Sequence, residues 1–276
     1  MTHSFDPGYG TEPFRALVAD YPDDAAYPPD AFRTEWGPIF HRGRLDGTAR
    51  ILIIGQDPAT HETVTRRILV GEAGQRIQGF LTRLGITTSY VLINTFLYSV
   101  YGQGGGEAHI DDPKISAYRN RWIDAILASS PVEAIVTLGH LANKAHTQWS
   151  DQHAGTKPPH VAITHPTYPE SASASGQTTK KAAMKLLCAN WNTGLAALKP
   201  IVTPDKARTL KKYGDTIAPT DLTAIPEADL PPGLPAWMRG LQSWATRGDP
   251  PASKLDPVKR AILRIDIPSP DRTWPN

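Results

Sequence analysis

The feature that most constrains the fold of this chain is an alternation of apolar runs with helix-periodic segments between residues 50 and 199. Four runs predict buried strands: RILIIG, SYVLIN, VEAIVTLG and HVAIT. The segment GQRIQGFLTRLG places Ile77, Phe80, Leu81 and Leu84 on one helical face, and three later segments also predict helices. Strands that alternate with helices predict a three-layer α/β/α fold with a central, mainly parallel four-stranded sheet.

Changes in composition divide the chain into three parts. Residues 1–49 are rich in Pro, Gly, Asp and aromatic residues and predict a lead-in packed on the core, with one helix around PFRALVAD. Residues 50–199 form the predicted core domain. Residues 200–276 form a Pro-rich C-terminal extension, either packed on the core or partly mobile. Its tryptophans Trp237, Trp244 and Trp274 favour order, because disordered tails are poor in aromatic residues.

Charge and cysteine content exclude several classes of protein. The net charge is +2 and the pI is about 8.6, so any anionic partner requires a local basic patch. A single cysteine, Cys188, excludes an internal disulfide and a cysteine-built metal site, and it fits a reducing, cytoplasmic compartment. No signal-peptide pattern and no apolar run of about 20 residues is visible. We therefore expect a cytoplasmic protein with no membrane partner. We also expect a monomer.

Polar side chains follow the predicted strands at the point where each one ends. Gln56 and Asp57 follow the first strand, Asn94 ends the second, His140 follows the third and His165 follows the fourth. Ligands of parallel α/β sheets bind beyond this edge. Alone, each residue has an ordinary explanation as a turn former, a cap or a loop residue. Together, an amide, a carboxylate and an imidazole at one edge favour an active site.

Three of these segments carry a resemblance. GQDPA, VLINT and THPTYPES resemble, in the same order, the signature segments of the uracil-DNA glycosylase superfamily. VTLGHLANKAH is similar to a stretch of its iron–sulfur branch, although one cysteine cannot hold that cluster. The resemblance implies a base-excision-repair enzyme that flips deoxyuridine out of single- or double-stranded DNA and hydrolyses its N-glycosidic bond. It implies no cofactor and no metal.

The resemblance also implies a role for each motif residue. Asp57 orients and deprotonates a water and favours the sugar cation. Neutral His165 donates a hydrogen bond to the uracil O2 anion, and the Gln56 backbone N–H faces the same oxygen. Asn94 reads the N3–H and O4 edge, because an amide offers a donor and an acceptor together.

The base pocket departs from the family pattern at two positions. Ala59 stands where one branch of the family has a tyrosine that blocks the thymine methyl group. Thr60 and His61 either replace that wall or simply begin a helix. Leu69 falls near the expected stacking phenylalanine, whereas Phe80 is predicted to lie in the core.

The predicted DNA contacts follow the last motif. Tyr168 or Pro169 replaces the leucine that usually wedges into the base stack. Ser171, Ser173 and Lys180 are candidate phosphate contacts, since residues 171–199 contain lysines and no acid. The alternative for these lysines is a solubilising helix face.

Two other functions remain open at this point. A protein of the same fold that holds abasic or uracil-containing DNA with little turnover would explain the altered stacking and wedge residues. A nucleotide enzyme on a Rossmann-like sheet is less favoured, because YGQGGGEAH lacks the glycine spacing of a dinucleotide site.

Overall fold

The computed structural model describes residues 9–23, 25–102, 106–240, 243–247 and 263–272. The strands are β1 (His41–Gly43), β2 (Ile51–Gly55), β3 (Tyr90–Asn94), β4 (Ala134–Leu138), β5 (His160–Ile163), β6 (Ala245–Arg247) and β7 (Leu263–Ile265). The helices are α1 (Phe14–Ala19), α2 (Thr60–Thr65), α3 (Gly71–Arg83), α4 (Pro113–Ser129), α5 (Gly139–Gln152), α6 (Tyr168–Ala174), α7 (Lys180–Leu198) and α8 (Trp237–Gly240).

The central sheet has the strand order β1-β3-β2-β4-β5. The pairs β2–β3, β2–β4 and β4–β5 are parallel, which confirms the predicted α/β architecture. The predicted number of four strands is one too low, since β1 adds an antiparallel edge strand beside β3. This strand is three residues long and reads HRG, so it carries no apolar pattern that sequence reasoning could detect.

The sheet is covered on both faces because its strands are apolar at successive positions. Ile51 and Ile53 of β2 belong to a core cluster with α3 and α7, which contribute Phe80 and Trp191. Leu52 and Ile54 point the other way, into a cluster with α4 and α5. Since neighbouring side chains of a strand face opposite sides, this alternation produces the three layers.

Helix α3 is buried on more than the predicted face. Ile77, Phe80 and Leu81 face the sheet as expected, but Gln75 and Gln78 are also buried. Residues 221–225 of the extension cover this second side: a Cβ on Gly79 would lie only 2.0 Å from the Asp221 carbonyl oxygen. The extension therefore packs directly on the core helix.

Ion pairs attach the extension to the core. Asp229 is buried and accepts a hydrogen bond from Arg42 of β1 at 2.8 Å and from the Tyr90 hydroxyl of β3 at 2.5 Å. Asp221 pairs with Arg83 at 2.5 Å. Within the described residues, no helix is long and apolar enough to span a membrane.

Candidate active site

The carboxyl ends of β2 and β3 bring the first two motifs together. Gly55 and Asn94 are paired in the parallel register, and a Cβ on Gly55 would lie 2.3 Å from Asn94 Oδ1. A side chain at position 55 would therefore displace the Asn94 amide. The glycine that ends β2 leaves the space that this amide occupies.

The loop after β2 carries Asp57. The Asp57 Oδ2 accepts a hydrogen bond from the Val100 backbone N–H at 3.0 Å, and the Gln56 carbonyl accepts one from the Phe96 N–H at 2.9 Å. Gln56 and Asp57 are partly exposed, and Ala59 is exposed. The loop is thus fixed to the chain that follows β3, with its carboxylate at the surface edge of the sheet.

His165 follows β5 and lies against the end of β4. A Cβ on Gly139 would be 3.0 Å from the His165 Cβ, so the two loops are in contact. The Thr167 backbone N–H donates to His165 Nδ1 at 3.3 Å, and the Thr167 hydroxyl lies 3.0 Å from the same nitrogen. An N–H group can only donate, so Nδ1 accepts and the proton of the neutral ring is on Nε2.

The charge state of His165 follows from its surroundings. Burial, together with the positive charge of Arg76, lowers the pKa of His165 to about 4. The ring is therefore neutral at neutral pH. It presents a neutral N–H donor, the form that the proposed stabilisation of a base anion requires.

Arg76 of α3 holds the His165 loop in place. Its guanidinium is buried, donates to the Pro166 carbonyl and forms two 3.1 Å hydrogen bonds to the Glu170 carboxylate. It also pairs with Glu72 on its own helix. Sequence reasoning missed this residue, because the arginine lies 90 positions from the loop that it binds.

Glu62 connects the end of the Asp57 loop to Val70, the residue before helix α3. Its carboxylate accepts hydrogen bonds from the Ala59 N–H at 3.0 Å and the Val70 N–H at 2.9 Å. Burial raises the pKa of Glu62 to about 7, and the negative charge of Asp57 contributes to the shift. A glutamate at the third position of a helix was the available signal.

Leu69 and the two residues that follow Ala59 have different environments. Leu69 is buried in the core cluster shared with Phe80, and its backbone has a positive φ of 51°. Its role as the stacking residue stays a prediction. Thr60 and His61 begin helix α2, and both contact the extension: the Thr60 hydroxyl donates to the Ala245 carbonyl, and His61 contacts Trp244. The helix-start interpretation therefore has structural support.

The predicted DNA-contact residues lie on α6 and at the start of α7. Tyr168 is partly exposed, whereas Pro169 is buried. Of the two candidates for the wedge residue, Tyr168 is therefore more accessible to DNA. Ser171 is partly exposed and Ser173 is exposed. Lys180 is exposed and pairs with Glu170 at 3.0 Å. Acids outside residues 171–199 therefore pair with lysines inside this segment: Glu170 pairs with Lys180, and Asp215 pairs with Lys185.

Comparison with known proteins agrees with this arrangement of strand ends. The sequence model of the Uracil DNA glycosylase superfamily matches residues 42–188, which is more than half of the chain. The chain belongs to the Uracil DNA glycosylase superfamily. Membership in this superfamily implies a DNA glycosylase, a hydrolase that acts on DNA. A search of curated proteins found no match.

Two features stand out within the Uracil DNA glycosylase superfamily. The matched span ends at residue 188, so the whole C-terminal extension lies beyond it. Cys188 is buried in the core on α7, and one thiolate cannot supply the ligand set of an iron–sulfur cluster. The residues of this chain do not fit that group.

Proposed function

We propose that this protein is a monofunctional uracil-DNA glycosylase that removes uracil from DNA and leaves an abasic site. The observation that carries the proposal is the tautomer of His165. The Thr167 N–H donates to Nδ1, so the ring has a neutral N–H donor at Nε2. His165 lies on the loop that contacts Gly139. The amide of Asn94 and the carboxylate of Asp57 follow adjacent strands of the same edge. Together they supply the groups that hydrolysis of a deoxyuridine requires.

Asp57 acts on the sugar side of the bond. As the N-glycosidic bond breaks, positive charge develops on the sugar and negative charge on the base. The Asp57 carboxylate stabilises the cation and takes a proton from the attacking water. Its hydrogen bond from Val100 N–H fixes one oxygen, so the carboxylate holds a defined direction.

His165 and Asn94 act on the base. The His165 Nε2–H donates to the developing O2 anion, and the Gln56 N–H is proposed to donate to the same atom. Asn94 accepts from N3–H with its oxygen and donates to O4 with its nitrogen. Cytosine presents the opposite pattern at N3 and position 4, so the amide discriminates against it.

The DNA side of the proposal uses the residues after β5. Tyr168 fills the space that the flipped base leaves, and Ser171, Ser173 and Lys180 contact phosphates. Pro169 shapes that loop, Leu69 packs against the base, and Ala59 leaves the pocket open beside position 5 of the ring. Water is the proposed nucleophile, with no cofactor, and the proposed form is a cytoplasmic monomer.

The test uses oligonucleotides that contain one uracil, in single- and double-stranded form. The protein is incubated with each, and abasic sites are then cleaved with alkali. We expect strand cleavage at the uracil position and none in matched oligonucleotides with cytosine. Absence of a cleaved product in both forms would reject the proposed activity.

A second candidate is a DNA-binding protein with little turnover. Leu69 is aliphatic and Pro169 is buried. An aromatic stacking ring and an exposed wedge would hold a flipped base more firmly than these two residues do. The weaker hold on the base favours little turnover. Multiple-turnover and single-turnover kinetics separate the two. A single burst that stops at one product per protein indicates the binding protein.

A further inference from the structure

The C-terminal extension reaches back to the helix that follows the Asp57 loop. Trp244 is fully buried in a cluster with Val70, Ile225 and Met238, and its indole N–H donates to the Met238 carbonyl at 3.0 Å. Trp237 packs edge-on against the same ring. Apart from Val70, the buried residues of this cluster lie outside the superfamily match.

The contact centres on His61. The backbone N–H groups of Trp244 and Ala245 both lie 3.3 Å from His61 Nε2, and the two rings meet edge-on with centroids 4.8 Å apart. On the other side, a Cβ at Gly71 would be 2.9 Å from the imidazole. His61 is thus enclosed between the extension and the start of α3, and it accepts from the extension as a neutral ring.

Helix α2 depends on contacts from outside. It has six residues, too few for an isolated helix to be stable in water. It begins directly after the loop that carries Asp57, and its Glu62 holds the Ala59 N–H. Any shift of α2 therefore moves the loop that must place the carboxylate beside the sugar.

We propose that His61 and Trp244 are positioning residues, through which the C-terminal extension fixes helix α2 and thereby the Asp57 loop. The proposal rests on the glycosylase function and assigns the extension a part in it. Neither side chain touches the reacting atoms. Their effect is on the rate of the chemical step and not on the affinity for DNA.

The test compares His61→Leu, His61→Gln and Trp244→Ala with the wild-type protein. Single-turnover rates of uracil release are measured with enzyme in excess, and DNA affinity is measured with an abasic-site analogue. We expect His61→Leu and Trp244→Ala to slow release by about 10- to 100-fold, the loss typical of a misplaced reacting group, with little change in affinity. His61→Gln should regain most of the rate, because its amide oxygen accepts the same N–H groups.

The matched control is Trp149→Ala. Trp149 is equally buried, on α5, and its indole N–H donates to Asp124 at 2.8 Å. It should lose stability as Trp244→Ala does, while the folded protein keeps the wild-type rate. Equal rates for all the variants would overturn the positioning role.

Hydrogen exchange tests the contact independently of catalysis. We expect the backbone amides of residues 56–62 to exchange faster in His61→Leu than in the wild type, with the amides of β4 unchanged. Unaltered exchange in residues 56–62 would overturn the proposal even if no uracil is released. An inactive wild-type protein with the expected exchange would instead reject the glycosylase function alone.

Discussion

At the scale of single residues, the site depends on hydrogen bonds that fix direction. The Thr167 N–H selects the His165 tautomer, and the Val100 N–H holds one Asp57 oxygen. Glycine is required at position 55, because the Asn94 amide occupies the place of a Cβ. A reacting group that is already oriented needs little reorganisation when the bond breaks.

Asn94→Asp tests base selection at this scale. A carboxylate has no donor for uracil O4 but accepts from the cytosine amino group. We expect slower release of uracil and a smaller ratio of uracil to cytosine release, measured on matched oligonucleotides. An unchanged ratio would exclude Asn94 from base reading.

Ala59→Tyr tests the open side of the pocket. A ring at this exposed position should exclude a methyl group at position 5 of the base. We expect the ratio of thymine to uracil release from mismatched duplexes to fall in the variant. A ratio equal to that of the wild type would show that another residue controls access to position 5.

At the scale of elements, α3 links the two halves of the site. Its Arg76 holds the loop of His165 and also lowers the pKa of that histidine. Its N-terminal glycine, Gly71, contacts His61 beside the Asp57 loop. Helix α3 therefore sets the relative position of the Asp57 loop, which follows β2, and the His165 loop, which follows β5. These two strands lie on either side of β4.

Arg76→Gln tests this link. The substitution removes the buried cation that pairs with Glu170 and leaves that carboxylate with the exposed Lys180. Breaking an ion pair costs about 3 kcal/mol when the pair is well buried. We expect a lower urea midpoint and slower uracil release. Arg121→Gln is the control, because its ion pair with Asp20 is exposed. Equal stability of the two variants would contradict the role of Arg76.

The sequence was informative where signals are local. Apolar runs and the 3.6-residue period located four strands and the helices around them, and the polar residues at strand ends located Asp57, Asn94 and His165. Contacts between distant positions left no pattern. β1 is held by Asp229, which is 187 residues from Arg42, and His61 contacts a tryptophan 183 residues away.

At the scale of the whole molecule, neutral histidines that are buried or partly buried make stability depend on pH. Burial lowers the pKa of five histidines: His41, His61, His146, His160 and His165. The lowered pKa is about 4 for His61, His146 and His165. Below their ordinary pKa of 6.5, the unfolded chain binds more protons than the folded one. Their contribution is therefore complete above pH 6.5 and is lost as the pH falls towards 4.

Glu62 acts in the opposite direction. Burial raises its pKa to about 7 from an ordinary 4.5, so it adds stability as the pH falls between these values. The five histidines outweigh it, and we expect the urea midpoint to fall between pH 6.5 and pH 5. Glu62→Gln should make that fall steeper. A midpoint independent of pH in this range would contradict the neutral state of these histidines in the folded protein.

The central claim is that Asp57 promotes hydrolysis of a deoxyuridine held by the loops of Asn94 and His165. The most direct measurement is the single-turnover release of free uracil from DNA by the wild-type protein and by Asp57→Asn, in which the carboxylate is replaced by an amide of nearly the same shape. We predict release by the wild type and a rate about 100- to 10,000-fold lower in the variant, the usual contribution of a positioned acid–base group. Equal rates in the two proteins, or no release by the wild type, would contradict the account.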